Sequence, residues 1–209
     1  MKRGITIAFV GTDGSGKSTV IKHITPWLES INANGVHYEH LRPNWLPPLG
    51  AVAGKSSNED SGPVVDPHGQ KPSCFLVSLV RLGYYSLDYC VGYWRKIIPL
   101  CRKDGQVCLF DRYFYDIEID SRRMRIALPA WILRVVLKLL PEPDIVLCLG
   151  TDPNLIYERK PETSLEEVTR QLTHLKSLCK NNKRAVWVDT GDSIETSVAT
   201  VKSALLNLK

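Results

Sequence analysis

Residues 11–18, GTDGSGKS, place a lysine and a serine behind three glycines in the spacing GxxxxGK[ST]. An apolar segment at 5–10 precedes this motif and a helical pattern over about 17–30 follows it, which is the strand–loop–helix context that the motif requires. Glycines let backbone N–H groups converge on an anion, and the N-terminus of the helix adds a partial positive charge. The motif therefore predicts that the chain binds a nucleoside triphosphate.

Two side chains of the motif predict how the phosphates are handled. Lys17 is expected to contact the β- and γ-phosphates, and the Ser18 hydroxyl is expected to ligate Mg²⁺. The sequence contains neither an NKxD-type base-reading motif nor a DxxG switch after the third predicted strand, so we expect adenine rather than guanine. The predicted phosphoryl donor is ATP, and the predicted cofactor is Mg²⁺.

A second charged group begins where an apolar segment ends, in LFDRYFYDIEID at 109–120. Ionised side chains are costly to bury unless they are paired or hold a metal, and ligands of doubly wound sheets gather at the carboxyl ends of the strands. Asp111 is therefore predicted to hold the metal or a metal-bound water, and Arg112 to clamp a transferring phosphoryl group. The alternative is a structural Asp–Arg pair that caps the strand.

The elements that must position these residues follow from the apolar pattern. Strands are predicted at 5–10, 35–43, 106–110, 144–150 and 184–189. Helices are predicted at about 17–30, 74–98, 129–140, 153–160, 164–180 and 193–208. Alternating strands and helices, with strands that are apolar nearly throughout, predict an α/β fold with a five-stranded parallel sheet sandwiched by helices. At 209 residues we expect one domain, 1–209.

Composition narrows the function classes. A net charge of +5 suits a phosphate-bearing small molecule, and no zinc-finger, RNP or basic-region signature accompanies it, so no nucleic-acid partner is predicted. The six cysteines form no CxxC pair, which favours buried, reduced thiols. Because the sequence lacks a signal-peptide pattern and an apolar run of about 18 residues, we expect no transmembrane segment and a cytoplasmic location.

Residues 44–73 interrupt the alternation of strands and helices. They are rich in proline, glycine and serine and show no periodicity. A loop of this length is usually a functional lid or a disordered segment, so we predict a flexible insertion that acts as a flap near the site. A spacer without a function is the alternative.

Four sequence elements in order resemble the thymidylate kinase-like P-loop kinases of the nucleoside monophosphate kinase superfamily. They are GTDGSGKST at 11–19, LRP at 41–43, DRY at 111–113 and ERKPE at 158–162. The resemblance implies transfer of the γ-phosphoryl group of ATP to a bound acceptor, thymidylate or a related nucleoside monophosphate. It also implies that Asp13 faces an acceptor hydroxyl, that Arg42 and Arg112 hold the acceptor phosphate, and that two copies pair as a homodimer.

The segment YERKPETSLEE predicts a lid at about 157–166. Its two cations, Arg159 and Lys160, precede a proline, and Ser164 has capping-box spacing to Glu167 for the next helix. Such a hinge can close over a triphosphate, although cations are also favoured at an ordinary helix C-terminus. Where some related kinases have an arginine in the P-loop this chain has Gly14, so a lid arginine is expected to supply that charge.

The predicted ATP-binding residues are Gly11, Asp13, Gly14, Ser15, Gly16, Lys17, Ser18, Thr19 and Arg159. The predicted catalytic residues are Lys17, Asp111, Arg112 and Arg159, with Ser18 and Asp111 as metal ligands.

The segment after DRY is the part of the sequence that bears on the identity of the acceptor. Residues 114–129 replace the SxAYQ-like segment of thymidylate kinases with FYDIEIDSRRMRIALP, whose acids and arginines suit a sugar phosphate unless they form an exposed charged turn. This DRYxYD form resembles kinases of bacterial surface-polysaccharide loci. The alternative acceptor is a sugar or polysaccharide precursor. An acceptor-independent ATPase switch is the third hypothesis. The predicted acceptor-binding residues are Asp13, Arg42, Arg81, Arg112, Tyr113, Tyr115 and Asp116.

Two helical patterns leave alternatives open. In the helix at 74–98, Arg81, Tyr85 and Asp88 share one face, which predicts either a cleft-facing stripe or an internal Arg81–Asp88 ion pair. The helix at 129–140 contains AWILRVVLKLL, which favours core packing, with contact to a membrane surface as the alternative.

Overall fold

Five parallel strands form the centre of the fold. The computed structural model describes residues 4–47, 74–120 and 126–208. The strands are β1 Thr6–Gly11, β2 Val36–His40, β3 Val107–Asp111, β4 Ile145–Gly150 and β5 Ala185–Asp189. Their order across the sheet is β2-β3-β1-β4-β5, and every neighbouring pair is parallel. The predicted five-stranded parallel sheet is confirmed.

Helices connect the strands and cover both faces of the sheet. In the described ranges they are α1 Lys17–Ile31, α2 Phe75–Gly92, α3 Ile98–Arg102, α4 Tyr115–Ile119, α5 Ala130–Leu137, α6 Pro153–Arg159, α7 Leu165–Asn181 and α8 Ile194–Leu206. A π-helical stretch, Tyr93–Ile97, joins α2 to α3. The predicted helix at 74–98 is thus part of a longer helical segment, and α4 has no counterpart among the predicted helices.

The core has two layers because successive side chains of a strand point to opposite faces. On one face Ala8 and Val10 of β1 pack among buried side chains of α2, α4, α5 and α7. On the other face Ile7 and Phe9 pack against α1 and α8. The three central strands β3, β1 and β4 are buried along their whole length, so charged groups that follow them must find partners.

Two predictions from composition have structural outcomes. All six cysteines are free thiols, but the prediction that they are buried holds only for Cys101, Cys108 and Cys148, since Cys90 and Cys179 are half-buried and Cys74 is exposed. The Sγ atoms of Cys101 and Cys108 lie 3.1 Å apart in the core. Among the described helices, none is both long and apolar enough to cross a lipid bilayer.

Candidate active site

A glycine-rich turn joins β1 to α1 at the carboxyl edge of the sheet. Gly14 and Gly16 have φ angles of 83° and 81°, in the left-handed region that glycine adopts without strain. Gly11 is required for a different reason: a Cβ there would lie 2.5 Å from the carbonyl oxygen of Leu149. Ser15 is fully buried behind the turn. The glycines of the motif therefore shape the turn itself.

The Lys17 ammonium group lies against the carbonyl side of this turn. Its Nζ donates hydrogen bonds of 2.7 Å to the carbonyl oxygens of Gly11 and Thr12. Burial and the nearby Arg112 charge lower the pKa of Lys17 to about 8, although Asp116, Asp13 and Asp111 oppose the shift. An anion placed in the turn would stabilise the ammonium form and raise this pKa again.

A cavity of about 500 Å³ opens beside the turn and brings most of the predicted site together. The predicted residues on its lining are Asp13, Gly14, Gly16, Lys17, Ser18, Thr19, Asp111, Arg112 and Arg159. They come from the turn, the start of α1, the end of β3 and the end of α6. The parallel sheet places the ends of these elements at one edge, which is where ligands of such folds bind.

Asp111 ends β3 as an ionised carboxylate supported from the neighbouring strand. Its Oδ2 accepts a hydrogen bond of 2.9 Å from the Tyr38 hydroxyl, and the Nδ1 atom of His40 lies 3.7 Å from the same oxygen. Burial favours a higher pKa, but the nearby His40 ring, the hydrogen bond from Tyr38 and the charge of Lys17 lower the pKa of Asp111 below its ordinary value. Tyr38 and His40 are two residues apart on β2, so their side chains lie on the same face of the sheet and both approach Asp111 from it.

The residues around Asp111 fit a magnesium ion. Mg²⁺ prefers oxygen ligands, keeps several waters and is usually held by one or two carboxylates together with substrate phosphates. The ionised Asp111 and the exposed Ser18 hydroxyl line the same cavity as the phosphate-binding turn. The described part of the chain contains no group of three His, Cys, Asp or Glu residues that could bind a metal by itself. This donor set suits a metal that is bound jointly with phosphates.

Arg112 connects the P-loop to the segment after β3. It has a positive φ of 76°, and its guanidinium group pairs with Asp13 and, at 3.4 Å, with Oδ1 of Asp116. Asp116 is buried and also accepts a hydrogen bond of 3.0 Å from the backbone N–H of Tyr113. Burial raises the pKa of Asp116, and the Arg112 charge opposes that shift. Arg112 thus pairs with Asp13 and Asp116, and the alternative Asp111–Arg112 cap is not formed between these two described residues.

The loop after β2 is strained and tightly held. Leu41 and Asn44 have φ angles of 64° and 53°; with Arg112 they are the non-glycine residues of positive φ in the described ranges. Such strain persists only where surrounding contacts enforce it, and it clusters at functional sites. The Leu41 N–H donates to the Asp111 carbonyl at 2.8 Å, and Lys96 Nζ donates to the Pro43 carbonyl at 2.9 Å.

The most buried contact of this loop is an ion pair between Arg42 and Asp88. The Arg42 Nη1 atom lies 3.1 Å from Asp88 Oδ2, and the backbone N–H of Leu46 donates to Asp88 Oδ1 at 2.6 Å. Asp88 is fully buried, and the Arg42 guanidinium also lies 5.8 Å from the Tyr85 ring centroid. The predicted polar face of α2 therefore meets the LRP loop, and the alternative Arg81–Asp88 ion pair is not formed between these two described residues.

The segment between α6 and α7 lies directly on the P-loop. A Cβ added to Gly14 would be 2.9 Å from the carbonyl oxygen of Ile156 and 3.2 Å from the Cβ of Lys160. Arg159 donates a hydrogen bond of 3.0 Å to the carbonyl of Thr190 after β5. The next helix starts as predicted, with the Ser164 hydroxyl accepting from the Glu167 N–H at 3.2 Å. No space for a longer side chain remains at position 14.

Five of the predicted acceptor residues are not on the cavity lining: Arg42, Arg81, Tyr113, Tyr115 and Asp116. The two tyrosines are held in other parts of the fold. Tyr113 is in the core, where its hydroxyl donates to the carbonyl of Pro141 at 2.8 Å and its ring packs edge-on against Tyr89. The Tyr115 hydroxyl accepts from Asn182 at 3.2 Å and lines a different groove between α4, α5 and α7. The structure does not bring either tyrosine to the P-loop cavity, because their apolar rings fill the layer between the sheet and the helices.

Of the remaining predicted residues, some lie within the described ranges and others lie outside them. Arg81 lies one helical turn before Tyr85 on the face of α2 that contacts the LRP loop. Residues 48–73 of the predicted insertion and residues 121–125, with Arg122, Arg123 and Arg125, lie outside the described residues.

No sequence motif predicts the residues after β5 that line the cavity. They are Thr190, Asp192, Ile194 and Ser197. The Thr190 Oγ1 atom is buried without a hydrogen-bond partner in the described structure, as is that of Thr12 in the P-loop. Buried polar atoms usually have partners, so the Thr190 hydroxyl, which is on the cavity lining, is suited to a ligand there, whereas Thr12 is not among the lining residues. The rule that ligands bind beyond strand ends, applied to β5 as it was to β3, would have found them.

Solved structures with a similar fold include thymidylate kinases. The thymidylate kinase from Ehrlichia chaffeensis is 16% identical, with 97% of this chain and 99% of that chain covered and a TM-score of 0.65. The chain has a thymidylate kinase fold. A second thymidylate kinase, from Candida albicans and described as having broad substrate specificity, is 18% identical over 98% of this chain and 92% of that one, with a TM-score of 0.66.

Comparisons with models of protein families and with curated proteins find no match. The similarity to thymidylate kinases therefore rests on the fold. Both solved structures cover nearly the whole chain, so the fold includes the P-loop, the DRY segment and the α6–α7 connection.

The Lys17 pKa leads to a pH dependence of ATP binding. Because this pKa is about 8 in the free protein, Lys17 loses its proton as the pH rises above 8, and binding of the triphosphate must restore it. We expect the Kd for Mg·ATP to be flat just below pH 8 and to rise above it, by up to about tenfold per pH unit. Calorimetric titrations between about pH 7.5 and 9.5 measure this. Lys17→Arg, which stays charged, should show no such rise, and a flat Kd in the unmodified protein would contradict the assignment.

Substitution of Gly14 tests the contact between P-loop and lid. Gly14→Ala introduces both a strained φ and a Cβ close to Ile156, whereas Gly35→Ala, at φ 90° with nothing within 4 Å, introduces strain alone. We expect each to lower the free energy of unfolding by about 1–2 kcal/mol through strain, with a further loss for Gly14→Ala. Only Gly14→Ala should also weaken ATP binding. Equal effects of both variants on stability and on ATP affinity would show that the contact is unimportant.

A double-mutant cycle tests the buried Arg42–Asp88 pair. Asp88→Asn leaves the Arg42 charge without its partner, so we expect a loss of about 3 kcal/mol in chemical denaturation. The combination of Asp88→Asn with Arg42→Gln should lose clearly less than the sum of the single variants. The exposed Asp104→Asn serves as control and should stay within about 0.5 kcal/mol of the unmodified protein. Additive losses would argue against a direct pair.

Proposed function

We propose that this protein is a Mg²⁺- and ATP-dependent phosphotransferase that moves the γ-phosphoryl group of ATP to a nucleoside monophosphate, thymidylate or a close relative. The observation that carries the proposal is the cavity that joins the P-loop to the ends of β3 and α6, with Lys17, Arg112 and Arg159 on one lining. Phosphoryl transfer needs positioning and charge neutralisation more than a covalent nucleophile, and this cavity supplies both.

The donor side is formed by the P-loop, the end of β3 and the lid. Lys17 would exchange the carbonyl oxygens of Gly11 and Thr12 for phosphate oxygens, as the P-loop lysine of such enzymes does. Ser18 and Asp111 would hold Mg²⁺, which neutralises phosphate charge when bound. Arg159 would leave the Thr190 carbonyl and contact the transferring group when the lid, about 157–166, closes.

The acceptor side is formed by the arginines of LRP and DRY. Arg112 is paired with Asp13 in the free protein, and an acceptor phosphate would take the place of that carboxylate. The Asp13 carboxylate, no longer paired with Arg112, would accept a hydrogen bond from an acceptor hydroxyl. Arg42, oriented by Asp88, would hold the same phosphate from the other side together with Arg81. A phosphate oxygen as the nucleophile would need little general-base help.

A non-nucleotide acceptor is the second candidate. The segment at 114–129 differs from the usual thymidylate kinase segment, and its DRYxYD form resembles kinases of bacterial polysaccharide loci. A sugar hydroxyl would need a general base, and Asp13, which lines the cavity, would be placed to serve. Asp116 is less suited to this role, because it is buried, is not among the residues that line the cavity and accepts a hydrogen bond from the Tyr113 N–H.

The proposal includes the setting in which the enzyme works. We place it in the cytoplasm, as a single domain without a nucleic-acid partner. α2 exposes large apolar side chains, among them Leu76 and Val80, and this supports a homodimer through that helix. The six free cysteines are consistent with a reducing compartment.

The release of ADP from Mg·ATP, measured with and without dTMP, tests the proposal. We expect a rate that depends on dTMP and that falls by at least about a thousandfold in Lys17→Ala, with the exposed Lys22→Ala as matched control. Turnover that is equal without any acceptor would favour an ATPase switch. If dTMP has no effect, sugars and other nucleotides follow as acceptors, and a rate that none of them raises would overturn the proposed kinase.

A further inference from the structure

Helix α5 and the turn after it carry an apolar stripe that faces away from the core. Trp131, Val135 and Leu139 follow one another at intervals of four residues and are 65%, 53% and 75% exposed. Leu133 and Leu140 of the same segment are buried. Core packing therefore explains only one side of this segment. Three large apolar side chains in a line on the surface are typical of an interaction site.

A cationic groove of about 840 Å³ lies directly beside the stripe. Its basic lining consists of Arg134 and Lys138 from α5 and its end, His174 from α7, and Lys183 and Arg184 before β5. Two carboxylates also face it: Glu118 pairs with Arg134 at 2.8 Å, and Glu142 lies 3.7 Å from Arg184. In the described structure, no carboxylate forms an ion pair with Lys138 or Lys183. The groove therefore keeps an excess of positive charge.

We propose that this α5 face, meaning Trp131, Val135 and Leu139 with the adjoining cationic groove, docks on the surface of an anionic lipid bilayer. Apolar side chains on one line of a surface helix enter the boundary between headgroups and acyl chains, and a tryptophan is suited to that boundary. Lysines and arginines beside them attract lipid phosphates. The apolar stripe thus suits the boundary with the acyl chains, and the cationic groove suits the phosphates of the headgroups.

The charges disfavour a second copy of this chain as the occupant. A symmetric dimer through the α5 face would place the same patch of both copies in contact. Both copies would then bring the same excess of positive charge to the interface, and like charges at an interface are unfavourable. A bilayer with anionic headgroups has the opposite charge.

The position of the groove is compatible with catalysis at a membrane surface. Glu142 and Arg184 lie just before β4 and β5, so the groove is at the amino ends of these strands. The P-loop cavity is at the carboxyl ends, the opposite edge of the sheet. Docking through the α5 face would leave the opening of the P-loop cavity unobstructed.

Co-sedimentation of the full chain with lipid vesicles tests this proposal. We expect partition into mixed phosphatidylcholine and phosphatidylglycerol vesicles that decreases at high salt, and little partition into phosphatidylcholine alone. Lys138→Gln and Lys183→Gln should each lower the partition coefficient about fivefold. Trp131→Ser combined with Leu139→Ser should lower it about tenfold or more. Trp94→Ser and Leu206→Ser, which change large apolar residues of similar exposure elsewhere, should leave it unchanged.

Three outcomes would overturn the proposal. They are the absence of partition into anionic vesicles, an equal loss in the Trp94 and Leu206 controls, and light scattering in which the Trp131–Leu139 double variant dissociates a dimer. The last would identify the α5 face as a contact between copies. Because the changed residues lie away from the P-loop cavity, the ATPase or kinase rate and the circular dichroism spectrum of each variant should match those of the unmodified protein. A failure of docking is thereby distinguished from a failure of the proposed function.

Discussion

The pairing of Arg112 with Asp13 and Asp116 is the interaction on which the site depends. It joins the P-loop after β1 to the segment after β3, two elements that neighbouring buried strands deliver to the same edge. At that edge, ionised groups lie close to a core from which water is excluded, so each must have a partner. The positive φ of Arg112 turns its side chain into this arrangement, and Asp116, buried beneath it, supplies the second carboxylate.

The same principle explains the other charged groups around the cavity. Lys17 is bound to backbone carbonyls, Arg159 to the Thr190 carbonyl and Arg42 to Asp88. Partners of the first two are neutral oxygens, which phosphates can replace with stronger, charge-assisted contacts. The partner of Arg42 is instead a fully buried carboxylate, which a ligand would not displace without leaving a buried charge unpaired. Arg42 is thus a fixed element of the site, whereas Lys17 and Arg159 are free to exchange partners.

Backbone strain is concentrated where these groups meet. Leu41 and Asn44 lie in the loop that presents Arg42, and Arg112 follows β3 directly. The cost at Leu41 and Asn44 is offset by contacts of their loop with the π-helical stretch, where Lys96 donates to the Pro43 carbonyl, and with α2, where Asp88 pairs with Arg42. Gly92 allows this approach, since a Cβ there would lie 2.7 Å from the Pro43 side chain. The irregular helix is therefore part of what holds the LRP loop against the sheet.

The sequence by itself determined the order of the strands and of the longer helices, the P-loop, and the charged ends of β1 and β3. Those features depend on local spacing: apolar runs, glycines before a helix, and an acid directly after a strand. It did not determine which polar residues reach the cavity, as Tyr113, Tyr115 and Thr190 demonstrate. The two tyrosines carry hydroxyls but bury their rings, and Thr190 carries no motif yet lies beside Gly16. The partner of Asp88 and the exposed side of α5 were likewise decided by packing between elements far apart in the chain. Side-chain direction at such positions depends on neighbours that only the tertiary structure brings together, and local sequence patterns do not predict those neighbours.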